Sequence, residues 1–276
     1  KQGKEKSQKH KPDAVPEAVA LPPSTGIHIG ISDEDRDQFW NTLDVAYFLR
    51  HEARDIAWHT RLLYRMLPQV GAEVRARPTE NNEGIQVMVY TPDRPDLFEQ
   101  ICSYFYEQRI DILDARIHTT RQGYALDSFV VDSAAIDADI RSNVPLVEHG
   151  LRNRLNEPLP AQNEPLSLKS NRYVVGANVR RSRTFPLVPL IELLPDENSQ
   201  YWRLSITAMD SPGILYALAN TFKRHQINLQ MAKVMTLGDR VEDIFILGGN
   251  ALDNPRTQMQ FKRDLLTAIN NLTTQK

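Results

Sequence analysis

The sequence predicts an α+β fold built from two copies of one small module, and three observations support this prediction. A set of residues recurs at constant spacing through the second half of the chain. Strand-like and helix-like patterns alternate in the same order within each copy. The chain has 276 residues, of which 41% are hydrophobic, and this is enough for two packed cores.

The repeat has a period of 117 residues, since Asp93 recurs as Asp210. Its other members are Pro95, Phe105, Ile110, Ala115 and Thr119, which recur as Pro212, Phe222, Ile227, Ala232 and Thr236. Beyond the next turn the spacing becomes 116, because Asp127 and Phe129 match Asp243 and Phe245. One residue is therefore missing from a hairpin loop of the second copy, where such changes are tolerated.

The residues before the repeat divide into a linker and a connector. Residues 1–31 are rich in lysine and proline with little apolar periodicity, which predicts a disordered linker. Residues 32–70 predict a helical connector, with one helix from Ser32 to about Leu43 and a second over Glu52–Met66. The start at a lysine, followed by a polar run, predicts an internal piece of a longer polypeptide.

Each copy begins with a strand that runs directly into a helix. Residues 85–91 and 202–208 are rich in apolar and β-branched residues, and both runs end at Asp-x-Pro, which stops a strand and starts a helix. The helix that follows has one apolar face, because apolar residues recur at every fourth position. These residues are Leu97, Ile101 and Phe105 in the first copy and Ile214, Leu218 and Phe222 in the second.

A hairpin and a second helix complete each copy. The hairpins turn at Gly123 and Gly238, and the second helices are predicted over about 138–155 and 255–272. The order βαββα therefore occurs twice. It predicts a four-stranded antiparallel sheet with two helices on one face, the ferredoxin-like βαββαβ sandwich.

A fourth strand is needed to complete each sheet. The first module is predicted to span 84–170 and the second 201–276, and the linker 171–200 offers two candidate strands, Asn171–Val179 and Phe185–Leu194. The second module ends with its helix. One module therefore has an open edge, borrows a linker strand or pairs with a neighbour.

Composition excludes several classes of function. The net charge is -2 and the pI is near 6.4, so the chain lacks the positive field that favours nucleic acids. No apolar run approaches the roughly 18 residues that span a membrane. The single cysteine, Cys102, cannot form an intramolecular disulfide, and His51 and His59 are out of helical phase for a metal pair. We therefore expect a cytoplasmic protein without membrane, nucleic-acid or cofactor binding.

Two motif pairs resemble a known family. The first is Asp93-Arg94-Pro95-Asp96-Leu97-Phe98 followed by the run 114–121, and the second is Asp210-Ser211-Pro212-Gly213-Ile214-Leu215 followed by the run 236–243. Both are similar to the paired ACT domains of the PII uridylyltransferase/uridylyl-removing enzymes. Residues 47–51 and 57–59 resemble the connector before the first ACT domain of that family, so the resemblance extends over about residues 40–272.

The resemblance implies a regulatory segment that senses glutamine and switches a longer enzyme between adding UMP to the PII signal protein and removing it. The family's catalytic parts are a nucleotidyltransferase domain that uses magnesium and an HD hydrolase domain. The chain has no Gly-Ser or His-Asp dipeptide and no phosphate-binding loop. Catalysis and magnesium are thus expected only in the parent enzyme, whereas ACT–ACT pairing is expected within or between chains.

The strand-to-helix turn of the second copy can recognise an amino acid. The candidate residues are Asp210, Ser211, Pro212, Gly213, Ile214 and Asn228. Free N–H groups near Gly213 and Ile214 can bind a carboxylate, Asp210 can bind an ammonium group, and Asn228 can bind the glutamine carboxamide. Structural roles are the alternative: Asp210 or Ser211 caps the helix, Gly213 relieves crowding, and Asn228 completes a turn.

The first copy departs from this pattern. Its candidate residues are Asp93, Arg94, Asp96 and Leu97. Asp96 stands where glycine is expected and Asp111 replaces the asparagine, and an extra carboxylate repels a ligand carboxylate. The second copy is therefore the better candidate. Alternatively, the two modules pair side by side and share ligands at their interface.

Other functions are weaker alternatives. Residues 121–125 faintly resemble an RNA-stacking strand, but the equivalent strand of the second copy carries Asp239, Glu242 and Asp243, which would repel phosphate. An acid-base pair of Glu242 and Asp243 is excluded, because adjacent strand residues point to opposite faces. A platform for dimerisation or protein binding without ligand predicts assembly but no amino-acid effect.

Overall fold

The computed structural model describes residues 30–65, 71–82, 84–132, 140–157, 187–196 and 201–274. The predicted linker before residue 30 and the candidate strand Asn171–Val179 lie outside these ranges. None of the helices in these ranges combines the length and the apolar character that spanning a membrane requires.

The described helices are α1 (Asp33–Trp40), α2 (Val45–Arg50), α3 (Ala53–Leu63), α4 (Leu97–Glu107), α5 (Ile140–Asn156), α6 (Ile214–Arg224) and α7 (Pro255–Thr274), with a 3-10 helix at Asn250–Asp253. The strands are β1 (Glu73–Pro78), β2 (Gly84–Pro92), β3 (Ile112–His118), β4 (Tyr124–Asp132), β5 (Leu190–Pro195), β6 (Trp202–Met209), β7 (Asn228–Leu237) and β8 (Arg240–Gly248). The helix α2 was not predicted from the sequence.

All eight strands form one antiparallel sheet in the order β1-β2-β4-β3-β7-β8-β6-β5. The two modules meet at its centre, where β3 pairs with β7 in a register that sets Ala115 opposite Val234. Reading outward from this pair, each module presents equivalent strands in the same order. The sheet therefore has an approximate two-fold axis between β3 and β7.

The predicted α+β class with two ferredoxin-like modules is confirmed. The fourth strand, however, enters from the start of each module rather than its end, so the order is ββαββα. In the second module this strand is β5, which overlaps the predicted Phe185–Leu194. In the first module it is β1, which precedes the predicted range 84–170 and was assigned no element from the sequence.

Alternation along the strands separates two layers of side chains. On one face Val87 and Val89 join the large core formed with α4 to α7. On the opposite face Met88 and Tyr90 pack with the connector helices α1–α3, around the fully buried Tyr47. Because both faces are covered, nearly every residue of β2 is buried, as expected for a central strand.

The connector buries three histidines around Tyr47. The Tyr47 hydroxyl lies 2.7 Å from Nδ1 of His59, His51 stacks on the Tyr47 ring at 4.3 Å, and His118 of β3 lies 5.3 Å from it. Burial lowers the pKa of His51 to about 4 and lowers that of His59 well below its usual value. Burial also lowers the pKa of His118, so all three histidines are neutral at neutral pH. The sequence places His51 and His59 out of helical phase, yet their ring centres lie 5.4 Å apart, because they belong to different helical segments that pack together.

The outer edge of β1 is closed by side chains of α5. Arg152 donates to the Val74 carbonyl at 2.6 Å, Glu148 accepts from the Ala76 N–H at 2.6 Å, and Asn156 accepts from the Ala72 N–H at 2.8 Å. These side chains are spaced by four residues, so they lie on one face of the helix. The polar ladder satisfies backbone groups that would otherwise form an exposed sheet edge.

Replacing Arg152 by alanine is expected to lower the free energy of unfolding by about 2 kcal/mol, because the buried Val74 carbonyl loses a charged donor. The matched control is Arg154→Ala on the same helix, whose ion pair with Glu107 lies at the surface and contributes about 0.5 kcal/mol. Urea denaturation of both variants measures the difference. Equal losses would show that the edge ladder adds nothing to stability.

Candidate functional site: two pockets between the modules

The pairing of β3 with β7 creates two related pockets. The first pocket, about 190 Å³, lies between the strand-to-helix turn of the first module, 93–99, and residues 222–230 of the second. The second pocket, about 180 Å³, lies between the turn 210–216 and residues 105–113 of the first module. A cavity of about 150 Å³ holds benzene, so each pocket has the size for a small metabolite.

This arrangement divides the binding residues predicted from the sequence between the two pockets. Asn228 lines the first pocket, together with the first-copy candidates Asp93, Arg94, Asp96 and Leu97. The second-copy turn residues Asp210, Ser211, Gly213 and Ile214 line the second pocket, together with Asp111. Pro212 lies in the same turn. Each turn thus faces the helix end of the other module, as in the interface-sharing alternative, and Asn228 does not meet Asp210.

Both turns present an uncapped helix N-terminus to their pocket. The residues before the helices, Asp96 and Gly213, have left-handed φ angles of 65° and 80°, and neither α4 nor α6 has a side-chain cap. The Asp210 carboxyl accepts from the backbone N–H of Ser211, within the turn itself. The first N–H of each helix donates to a carbonyl of its own turn, Leu97 to Arg94 at 3.3 Å and Ile214 to Ser211 at 3.0 Å, so the Ile214 N–H is not free as the sequence predicts. The N–H groups that follow and the helix dipole favour an anion in front of each helix.

Cationic and amide groups line the first pocket. Lys223 Nζ lies 3.1 Å from Glu99 Oε2 and 3.9 Å from Asp96 Oδ2, beside the N-terminus of α4. Arg94 donates to the Leu155 carbonyl at 2.7 Å, while its buried Nε finds no partner among the described residues. Asn228 and Gln230 add two amide side chains.

The first pocket also contains a buried carboxyl group that the sequence analysis used only as a repeat marker. Asp127 on β4 is 1% exposed, and its Oδ1 accepts from the His118 N–H at 3.3 Å. Burial raises the pKa of Asp127 well above its usual range, and the nearby Asp93 raises it further. A polar residue at a strand position that otherwise faces the core was the signal that could have identified it.

The second pocket is acidic. Asp111, Asp132 and Asp210 line it, and the described residues that line it include no lysine or arginine. Burial raises the pKa of Asp111 to about 6, with further contributions from Asp210 and Asp132. Burial also raises the pKa of Asp210. A ligand carboxylate is therefore repelled here.

An aromatic ring packs on the second helix N-terminus. A Cβ at position 213 would lie 2.5 Å from Tyr106 Cε2, so the ring contacts the Gly213 backbone directly. Tyr106 also stacks on Tyr216 with ring centres 5.0 Å apart. The residues equivalent to Tyr106, Gly213 and Tyr216 in the first pocket are Lys223, Asp96 and Glu99. One pocket is thus bordered by an ionic cluster and the other by an aromatic stack.

Metal binding has no support in the described ranges, where no group of three or more His, Cys, Asp or Glu side chains could hold an ion. Cys102 is fully buried in the core of the first module, and burial raises the pKa of its thiol well above the usual value. Such a thiol is a poor nucleophile. The arrangement supports binding of a small molecule.

Comparison with known proteins shows a close sequence relationship. The chain is 53% identical over 240 residues to the bifunctional uridylyltransferase/uridylyl-removing enzyme of Bordetella pertussis, which covers 87% of the chain and 27% of that protein. It is 46% identical over 239 residues to the enzyme of the same description from Burkholderia lata, with 87% and 27% covered. The chain spans about a quarter of the length of these relatives.

Two further comparisons concern the connector helices and a solved structure with distant similarity. Residues 27–62, which include most of α1–α3, match the model of the fifth domain of the uridylyltransferase GlnD. A crystal structure of aspartate kinase from Synechocystis aligns with 70% of the chain and 27% of that protein, with a TM-score of 0.40 and 13% identity. This structural likeness is too distant to support a functional conclusion.

Proposed function

The chain is related over 87% of its length to part of the bifunctional uridylyltransferase/uridylyl-removing enzymes, and we propose that it is the glutamine-sensing regulatory segment of such an enzyme. The catalytic steps, addition of UMP to the PII protein and its removal, belong to other parts of the longer protein. Magnesium is required there and not in this segment. Glutamine binding here shifts the balance between the two activities.

The observation that carries this proposal is the charge distribution of the first pocket. A free amino acid presents a carboxylate and an ammonium group together. Lys223 and the N-terminus of α4 provide the positive partners for the carboxylate. Asp93 and Asp127 provide the negative partners for the ammonium group, and an ammonium near Asp127 would favour its ionised form.

Selectivity for glutamine comes from side-chain amides. Asn228 and Gln230 both line the first pocket, and an amide can donate to the carboxamide oxygen and accept from its nitrogen. Glutamate lacks a donor at that position, so one amide hydrogen bond would be lost. A site built to pair both groups of a carboxamide rejects the analogue that leaves one unpaired.

We propose the first pocket rather than the second, which the sequence analysis preferred. The second pocket has the three carboxyl groups of Asp111, Asp132 and Asp210, and no lysine or arginine lies among its described lining residues. The Tyr106 ring also occupies the space in front of Gly213. Both features oppose a carboxylate at that helix N-terminus. The first pocket also has acidic lining residues, Asp93, Asp96, Glu99 and Asp127. Lys223, however, lies beside Asp96 and Glu99 at the helix N-terminus, where it offsets the repulsion that the sequence predicts from Asp96.

Calorimetric titration tests the proposal. We expect glutamine to bind with a stoichiometry of one per chain, and glutamate and asparagine to bind much more weakly. Asn228→Ala should weaken glutamine binding by about tenfold, the effect of losing one or two hydrogen bonds at an exposed amide. The matched control is Asp111→Ala at the equivalent position of the second pocket, which should leave the affinity unchanged.

Three outcomes would contradict this proposal in different ways. Loss of binding in Asp111→Ala with normal binding in Asn228→Ala would place the ligand in the second pocket. Two equivalent sites would show that both pockets bind. No heat with any amino acid, in a folded chain, would favour a platform for dimerisation or protein binding.

A further inference from the structure

We propose that the β3–β4 hairpin transmits occupancy of the first pocket to the connector helices α1–α3, so that the connector is the output of the sensor. This inference rests on the proposed glutamine site. It concerns a different property, the response of the connector, and the two can fail separately.

The β3–β4 hairpin forms a single layer of sheet between the first pocket and the connector. On one face Ile117 and Asp127 line the first pocket. The next residues along the same strands, His118 and Ser128, point to the opposite face and contact the connector. Successive side chains of a strand alternate between faces. A shift of either strand therefore moves side chains in the pocket and side chains at the connector.

A single hydrogen bond joins the two sides directly. The carboxyl of Asp127, inside the pocket, accepts from the backbone N–H of His118 at 3.3 Å. The side chain of His118 lies 5.3 Å from the Tyr47 ring, and its Nδ1 is 3.8 Å from Asp44 Oδ1, both in the connector. A ligand ammonium that favours ionised Asp127 would strengthen this bond, because charged acceptors form shorter hydrogen bonds.

The turn of the hairpin makes further contacts with the connector. The Arg121 backbone N–H donates to the Thr42 carbonyl at 2.9 Å, and its Nη1 donates to the Asn41 carbonyl at 3.2 Å. On β4, Ser128 Oγ lies 3.3 Å from His59 Nε2. Both ends of the hairpin are therefore bonded to the loop and helices that they must move.

The interface between the hairpin and the connector contains buried polar atoms that could form new hydrogen bonds. His51 Nε2 and His118 Nε2 are buried without a hydrogen-bond partner in the described residues, and their side chains are 7% and 5% exposed. An interface with unpaired buried polar atoms is stabilised less by its hydrogen bonds than a fully paired interface is. A small displacement of β3 can thus favour a second arrangement, which a coupling element requires.

The second module has an equivalent of the hydrogen bond between Asp127 and His118, but no described helix packs on its outer face. Asp243, the equivalent of Asp127, accepts from the N–H of Met235, the equivalent of His118, at 3.2 Å. In the described part of the chain no helix covers that outer face, where Ile244 is 43% exposed. Within the ranges that the structure describes, the first pocket alone is connected to a packed helical partner.

Hydrogen exchange of the whole chain with and without glutamine tests the coupling. We expect saturating glutamine to change the exchange rates of backbone amides in residues 39–63 by at least about threefold. His118→Ala and Ser128→Ala should each bind glutamine within about twofold of the unaltered chain, yet show a much smaller change in the connector. The matched control is Met235→Ala, which should preserve both binding and the connector response.

Each outcome is decisive. Glutamine binding without any change in residues 39–63 overturns the coupling and leaves the sensor intact. A full connector response in both hairpin variants overturns the assigned route. If His118→Ala does not fold, Ser128→Ala still decides the route, because it removes only the bond to His59. Absence of glutamine binding in the unaltered chain overturns both proposals.

Discussion

Replacing Asp243 by asparagine is expected to raise the free energy of unfolding at pH 8 by up to about 4 kcal/mol and to change it little at pH 4. Burial raises the pKa of Asp243 to about 7, and Asp210 adds to the shift. The unfolded value is about 3.9. The shift of about three units corresponds to about 4 kcal/mol, at about 1.36 kcal/mol per unit.

Proton binding to Asp243 makes the stability of the chain depend on pH. Between pH 4 and pH 7 the folded chain holds a proton on Asp243 that the unfolded chain releases, so stability falls as the pH rises through this interval. Asparagine keeps an oxygen that can accept from the Met235 N–H and carries no charge at any pH. The variant therefore loses this part of the pH dependence and gains most above pH 7.

Thermal and urea unfolding from pH 4 to pH 8 measure this effect. Glu242→Gln is the control, since the neighbouring carboxylate lies on the opposite face of β8 and pairs with Arg240 at the surface. Parallel stability curves for Asp243→Asn and the unaltered chain would show that Asp243 is ionised in the folded state at neutral pH.

Replacing Gly213 by alanine is expected to destabilise the chain by about 3 kcal/mol. The φ angle of 80° places residue 213 in the left-handed region, which costs a residue with a side chain about 1–2 kcal/mol. The new Cβ would also lie 2.5 and 2.7 Å from two atoms of the Tyr106 ring, and such overpacking costs about 1–3 kcal/mol. The Tyr106–Tyr216 stack between the modules would have to move.

Two matched variants separate these contributions. Gly238→Ala has a φ angle of 64° with open space around the Cβ, so it should show the backbone cost alone. In a Tyr106→Ala background the Gly213→Ala change should cost no more than Gly238→Ala. Urea denaturation gives all four values, and equal losses for Gly213→Ala and Gly238→Ala in the unaltered background would exclude the ring contact.

Much of the fold could be predicted because its signals are local. The Asp-x-Pro turns, the four-residue apolar spacing of α4 and α6 and the glycine turns all lie within a few residues of the elements that they specify. β1 could not be found in this way. Its six residues include Glu73, Arg75 and Arg77, and its stability comes from α5 side chains that are more than seventy residues away in sequence.

The candidate site was predicted less well, for a reason of topology. The repeat predicts one site that contains both Asp210 and Asn228, because both belong to the second copy. The pairing of β3 with β7 instead brings Asn228 to the turn of the first copy and Asp111 to the turn of the second. Which modules share a pocket depends on contacts between the copies, and the repeat alone does not specify them.

The central β3–β7 pair also decides how the chain can be divided. A cut between the modules would expose two long unpaired strand edges, one of which carries the apolar Ile117 and Ala115 and the other Val234 and Ala232. Exposed edges of this kind recruit other strands. Each half produced alone would therefore associate with itself in place of its lost partner, so we expect the two modules to unfold as one unit.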